Sequence, residues 1–170
     1  MIYPYRGTMP TIHPTAFVAP SADVIGAVRL ASASSIWFSC VVRGDVNRIA
    51  IGEATNIQDG SILHVDDDHP CVIADHVHVG HHANLHACRV ERGAMIGIGA
   101  IVLSGARIGS GAIIGAGSVV LEGARIPPGM LAVGVPAKVV RRVTARDRAY
   151  IARWLAKYVR LAREYRKSLY

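Results

Sequence analysis

The chain has 170 residues, a formal net charge of +7 and 51% hydrophobic residues, which suits a single domain with a sizeable core. No apolar run is long enough to span a membrane, and the start lacks the charged-then-apolar pattern of a secretory leader. Three cysteines without CxxC spacing are typical of a reducing compartment. Together these features predict a cytoplasmic protein with no membrane partner.

Residues 1–11 are predicted to form an extended lead-in strand that caps the first coil. From residue 12 onward, aliphatic residues recur every six positions. A hexapeptide period is typical of β-helices, and three repeats close one coil. The sequence therefore predicts an all-β solenoid of hexapeptide repeats over residues 12–137. The six-residue aliphatic positions are Ile12, Val18, Val24, Leu30, Ile36 and Val42, and then Val90, Ile96, Val102, Ile108, Ile114, Val120 and Ile126.

The middle of the chain keeps this period but interrupts it with short insertions. Counting strands across the insertions places Leu63 and Leu85 three strands apart, on one face. Because side chains alternate along a strand, the next residues, His64 and His86, point outward together, about one coil (~4.8 Å) apart. Arg43 precedes them on the same outward ladder. The histidine pair is therefore predicted to be able to share one metal ion.

The same count places Asp59 and His81 together at the preceding corner, with Gln58 beside them. His81 lies five residues from His86, an extended span of up to ~16 Å. It therefore cannot reach an ion held by His64 and His86 from its own chain, but it can from a neighbouring subunit. Three equivalent faces per coil favour closure of the assembly by three-fold symmetry.

Residues 138–170 are predicted to form a linker and a C-terminal amphipathic helix. Thr144 and Asp147 have the spacing of a capping box, and apolar residues then recur at three- and four-residue steps. This segment has eleven Lys/Arg and two acidic residues, against eight and ten in residues 1–137. A basic helix can bind nucleic acid, but no base-stacking aromatic cluster accompanies the charge. A solvated basic face, with no nucleic-acid partner, is predicted.

The stretch RGDVNRIAIGEATNIQDGSILHV, followed by VGHHANLHAC, resembles the γ-class carbonic anhydrases, and the similarity covers nearly the whole chain. The resemblance implies a left-handed parallel β-helix, a homotrimer and a three-histidine metal site between subunits. It implies that His64 and His86 are ligands from one subunit and His81 is the ligand from the next. Arg43 and Asp45 match the family's structural ion pair at the interface.

Gln58 and Asp59 match the family's polar residues beside the metal-bound water. The implied cofactor is Zn²⁺, and Fe²⁺ or Co²⁺ suits the same ligands. Three neutral histidines leave an open position for water and lower its pKa to about 7. The implied activity is that of a zinc-dependent lyase, carbonate dehydratase, in which metal-bound hydroxide converts CO₂ reversibly to bicarbonate.

The sequence departs from the best-characterised members of that family at two places. They have a glutamate directly after Asp45, where this chain has Val46, and a second glutamate on the loop that is here VDDDHPC. Asp66, Asp67 and Asp68 in this loop form either a solvated turn or a path for protons. The alternative functions on the same scaffold are an acyl-CoA thioesterase, a hexapeptide acyltransferase, or a metal-binding protein without strong activity.

The remaining histidines are predicted to have no ligand role. His13 and His69 carry no positional signal. His76, His78 and His82 fall at strand and turn positions without a stacked partner and are expected at the surface. His82 has one alternative, a group that supports a ligand or relays a proton.

Overall fold

The computed structural model describes residues 1–169, which form short strands followed by one long helix. In chain order the elements are β1 (Ile2–Tyr3), β2 (Thr11–Ile12), β3 (Phe17–Val18), β4 (Asp23–Leu30), β5 (Ser35–Ile36), β6 (Val41–Ile51), β7 (Asn56–Ile57), β8 (Ile62–His64), β9 (Cys71–Ile73), β10 (His78–Val79), β11 (Asn84–His86), β12 (Arg89–Val90), β13 (Met95–Ile96), β14 (Ile101–Val102), β15 (Arg107–Ile108), β16 (Ile113–Ile114), β17 (Val119–Val120), β18 (Arg125–Ile126), β19 (Met130–Val133), β20 (Lys138–Arg142) and α1 (Ala145–Leu169).

The strands stack in parallel as about seven coils of a solenoid with three faces. One face carries β3, β5, β7, β10, β13, β16 and β19; the other two are built by strands such as β8–β11–β14–β17 and β9–β12–β15–β18. The six-residue aliphatic positions point inward as predicted. Ile96, Ile108 and Ile114 are fully buried, and small residues such as Ala94 and Ala106 fill the space beside them.

Two long strands, β4 and β6, each run across a corner and join two faces into one sheet. The first residues of β6 pair with β8, and its last residues pair with β9. The two strands approach each other closely at this corner, and the approach requires glycine, because a Cβ on Gly26 of β4 would lie 2.4 Å from the carbonyl oxygen of Gly44 in β6. The bend falls within RGD at residues 43–45 and carries that segment to the outside of the corner, beside β8.

Helix α1 begins with the predicted capping box. The backbone N–H of Thr144 donates to Asp147 (2.8 Å), and the backbone N–H of Asp147 donates to the Thr144 hydroxyl (3.2 Å). The helix then lies along the face of β3, β5, β7 and β10, where Tyr158 and Tyr165 pack on Trp37 at centroid distances of 5.2 and 5.4 Å. The predicted amphipathic helix is thus the cover of one solenoid face.

Part of the segment expected to be a linker is a strand, since β20 pairs antiparallel with β19 at the end of the solenoid. Tyr170, the last residue of that predicted segment, lies outside the described residues. Within residues 1–169, no helix is both long and apolar enough to cross a bilayer.

Candidate metal centre

His64 and His86 lie side by side at the ends of β8 and β11, which pair in register. Nδ1 of His64 is 3.2 Å from Nε2 of His86, and the ring centroids are 5.1 Å apart. Two nitrogens that bind one tetrahedral Zn²⁺ at ~2.0–2.1 Å are separated by ~3.3 Å. The pair therefore has the spacing of two ligands of one ion.

The outer nitrogen of His64 is fixed by Asp45. Nε2 of His64 lies 3.0 Å from Oδ1 of Asp45, and the carboxylate also pairs with Arg43 and accepts the backbone N–H of Val46. Partial burial raises the pKa of Asp45, but the hydrogen bonds from His64 and Val46 outweigh it and hold the pKa below its usual value. An ionised carboxylate can only accept, so neutral His64 carries its proton on Nε2 and turns the Nδ1 lone pair toward His86.

His81 follows β10 at the neighbouring corner of the solenoid, where Asp59 lies one coil below. Nδ1 of His81 is 3.0 Å from the Asp59 carboxylate, so its Nε2 is left for another partner. Among residues 1–169, no three His, Cys, Asp or Glu side chains of one chain come together as a metal-binding group. A single chain therefore offers the pair at one corner and His81 at another.

The outer nitrogen of His86 meets a residue that the sequence analysis missed. Nδ1 of His86 is 2.9 Å from the hydroxyl of Ser104. Leu85 pairs in register with Val102 on the next coil, so the strand count places Leu103 level with His86, and Ser104 lies one residue further on, in the turn after β14. Metal-binding histidines usually have the second ring nitrogen tied to such a group. His64, His81 and His86 all meet this condition.

Gln58 is buried and held in a polar cluster beneath α1. Its Nε2 lies 2.9 Å from Oδ1 of Asn56 and 2.9 Å from Nε2 of His78, and the Tyr158 ring packs on His78 with centroids 5.6 Å apart. Asn56 was not singled out by the sequence analysis. These contacts fix the orientation of the Gln58 amide, and Asp59 is the next residue in the chain.

The prediction that His78 is a surface residue is wrong, because its side chain is only 5% exposed. His78 directly precedes the inward Val79 and so points outward, but onto the face that α1 covers. Burial lowers the pKa of His78 to about 4, with a smaller contribution from the nearby His81. The ring is therefore neutral at physiological pH and can accept a hydrogen bond from Gln58.

The acidic loop after His64 is not uniformly solvated. Oδ1 of Asp66 accepts the backbone N–H groups of His69 (2.6 Å) and Asp68 (3.1 Å), and lies 3.3 Å from Nδ1 of His69. Asp67 and Asp68 are exposed. The loop also borders a cavity of about 780 Å³ that Ser104 and Arg89 help to line. Asp66 is thus a structured member of this corner of the molecule.

The architecture is similar to that of known hexapeptide-repeat proteins. Residues 87–122 match the model of the bacterial transferase hexapeptide (six repeats) family, in agreement with the predicted left-handed β-helix. A hexapeptide transferase family protein from Anaplasma phagocytophilum has a similar structure, with a TM-score of 0.93 at 38% identity over 97% of this chain and 98% of that one.

Relatives identified by sequence indicate a narrower family than the hexapeptide repeat does. A carbonic anhydrase of Geobacillus kaustophilus is 48% identical over 98% of this chain and 91% of its own length. The mitochondrial γ carbonic anhydrase 1 of Arabidopsis thaliana is 42% identical over 90% of this chain, which spans 58% of that longer protein. The chain therefore belongs to the γ-class carbonic anhydrase family.

Proposed function

We propose that the protein is a metal-dependent carbonic anhydrase that hydrates CO₂ reversibly to bicarbonate. The observation that carries this proposal is the His64–His86 pair, whose facing nitrogens are 3.2 Å apart while their outer nitrogens are held by Asp45 and Ser104. A donor set of imidazoles suits Zn²⁺, and Fe²⁺ or Co²⁺ fits the same ligands. The carbonic anhydrase of Geobacillus kaustophilus supports the assignment.

The active assembly is a homotrimer in which His81 of a neighbouring subunit completes the site. The support is geometric, because His81 lies at the opposite corner of the face that carries β8 and β11. Nδ1 of its ring contacts Asp59, which leaves Nε2 for a metal ion held by another chain. Ile62, on the outer side of this face, is 45% exposed in the single chain. A three-fold arrangement brings each His81 to the next chain's pair and covers that apolar surface.

A divalent ion held there would supply the Lewis acidity that lets water ionise near neutral pH and attack CO₂. The protein groups have separate tasks. Asp45, held by Arg43, fixes the ring of His64, and Asp59 fixes that of His81. Gln58, whose amide is held by Asn56 and His78, would orient the reacting water or CO₂. The overall step adds one water to CO₂ and releases bicarbonate and one proton to solvent.

A second candidate is acyl-group chemistry, either an acyl-CoA thioesterase or a hexapeptide acyltransferase. The observation in its favour is the structural likeness to a hexapeptide transferase family protein. The paired histidines argue against a transferase that relies on a single catalytic histidine. A metal-binding protein with weak activity is the third alternative, since the glutamate that follows the matching Asp in well-characterised members is Val46 here.

The test combines three measurements on protein purified without oxygen: bound metal, particle mass, and rates of CO₂ hydration and acyl-CoA hydrolysis. We expect one ion per chain, a mass of three chains, and hydration that is lost together with the metal in His64→Ala. His13→Ala is the matched control, because His13 is exposed and distant from His64 in the chain. Metal-replete trimers that hydrolyse acyl-CoA but do not hydrate CO₂ would overturn the proposal in favour of the second candidate.

A further inference from the structure

Three arginines stand in a row on the outer side of the face that carries β9, β12, β15 and β18. Arg89 of β12 pairs in register with Arg107 of β15, which pairs in register with Arg125 of β18. Each directly precedes a buried aliphatic residue, so the alternation of side chains along a strand points it outward. Neighbouring strands are ~4.8 Å apart, so this arginine row spans roughly 10 Å.

The positive charge of the arginine row is mostly unpaired. Arg89 has one loose ion pair, with Nη1 at 3.9 Å from Oε1 of Glu91. The other ion pairs of arginines in residues 1–169 are made elsewhere in the molecule, so Arg107 and Arg125 have none. Like charges directly opposite one another on neighbouring strands are destabilising. The row is therefore unfavourable for the fold by itself, and a bound anion would relieve the repulsion.

The arginine row forms part of the wall of the cavity of about 780 Å³ that the loop after β8 borders. A cavity of this volume has the size of a small-molecule site. The acidic side chains in its wall are Asp66, Asp68 and Glu122, and none of them forms an ion pair with the row. Oδ1 of Asp66 instead accepts the backbone N–H groups of Asp68 and His69. The guanidinium groups thus remain available to a ligand.

The other two faces of the solenoid have different outer surfaces. Helix α1 covers the face of β3, β5, β7 and β10, and the face of β8 and β11 presents the apolar Ile62 to the proposed subunit contact. Arg89, Arg107 and Arg125 are all exposed. The face that carries the arginine row is therefore open to a ligand from solvent.

We propose that the arginine row is a binding site for a small molecule with two or more linked phosphate groups. A guanidinium binds phosphate through two parallel N–H···O bonds and stays charged at every physiological pH. A single phosphate is shorter than the roughly 10 Å of the row, whereas a chain of phosphates can follow it from coil to coil. The short row and the bounded cavity favour a small molecule over a nucleic acid. This binding is a function additional to the proposed CO₂ hydration and independent of it.

Calorimetric titration of inorganic triphosphate into the full-length protein tests the proposal. The metal is removed first, so that triphosphate cannot bind through the ion. We expect saturable binding of one triphosphate per chain. Arg107→Gln removes the central guanidinium and should weaken binding at least ~10-fold, as expected for hydrogen bonds between charged groups. Arg107→Lys keeps the charge without the planar fork and should bind with intermediate affinity.

Arg29→Gln is the matched control. Arg29 of β4 is exposed and has the same outward register position, but Ala50 and Val72 lie between it and Arg89. The substitution lowers the net charge as much as Arg107→Gln does, yet it should leave triphosphate binding unchanged. Equal weakening by the two substitutions would mean that triphosphate responds only to overall charge, and would overturn the proposal.

Two further ligands test the chemical class at constant ionic strength. Orthophosphate should bind more weakly than triphosphate, because it reaches less of the row. A single-stranded oligonucleotide should bind no more tightly than triphosphate. Failure of triphosphate to saturate the parent would overturn the proposal. Tighter oligonucleotide binding that is lost in Arg107→Gln would overturn it as well, in favour of a nucleic-acid surface. Thermal unfolding of each ligand-free variant confirms that it is folded.

Discussion

The coils of residues 41–86 and those of residues 90–133 have the same interior but different exteriors. In the later coils, each strand from β12 to β18 has two residues and recurs every six positions. In the earlier coils, β6 has eleven residues and a loop separates β8 from β9. Leu63 and Leu85 are nevertheless as deeply buried as Ile108 and Ile114. The interior thus keeps the repeat that stabilises the solenoid, while the interrupted coils carry the candidate site on their outer surface.

The largest expected effect is that of a charged residue buried inside the regular coils. Ile108→Asp would bury an unpaired carboxylate at a fully buried position, and we expect a loss of several kcal/mol in the free energy of unfolding. Chemical denaturation followed by circular dichroism measures it. Ile98→Asp is the matched control, because Ile98 is 56% exposed and should tolerate the change. Equal denaturation midpoints for the two variants would mean that the repeat does not set the interior.

In the interrupted coils we expect a stability effect that depends on pH. His78 has its pKa lowered to about 4 by burial, against about 6.5 for an unfolded histidine. The unfolded chain therefore binds the proton first, and stability contributed by neutral His78 is lost as the pH falls from about 6.5 to about 4, by up to roughly 1.4 kcal/mol per pH unit.

The measurement is the free energy of unfolding of metal-free parent and His78→Gln across that range, since a glutamine can still accept a hydrogen bond from Gln58 but cannot gain a charge. The parent should lose more stability than the variant between pH 6.5 and 4. His13→Gln, at an exposed position, should follow the parent. Parallel curves for parent and His78→Gln would show that His78 is not held neutral.

The smallest expected effect lies outside both sets of coils, at the start of α1. Thr144→Ala removes a capping hydroxyl that accepts the backbone N–H of Asp147, and such losses cost about 1 kcal/mol. Thr144→Ser keeps the hydroxyl and should stay close to the parent. Thermal unfolding of the three proteins distinguishes them. If the Ala and Ser variants melt together, the cap does not stabilise the cover of the solenoid.

Much of the fold could be predicted because the hexapeptide period constrains every coil in the same way. Strand counting across the insertions brought His64 next to His86 and Asp59 next to His81, and both contacts are present. Counting works here because register in a stacked solenoid is fixed by buried aliphatic residues, so a slip of one residue would expose them.

The contacts that sequence reasoning missed depend on what covers an outward position. His78 has the same outward direction as His64 by its place beside an aliphatic residue, but α1 lies over it. The six-residue period does not indicate which of the three faces α1 covers. Ser104 was missed because a lone serine on a regular coil carries no signal until the coil below it is known to hold His86.

The central claim is that one metal site is shared by two chains, and co-expression of His64→Ala with His81→Ala tests it most directly. In any mixed trimer one interface joins an intact His64–His86 pair to an intact His81, so random mixing should restore roughly one quarter of the parent metal content. Each variant alone should bind essentially none. Co-expressed protein that remains metal-free, or His81→Ala trimers that keep the full metal content, would contradict the account.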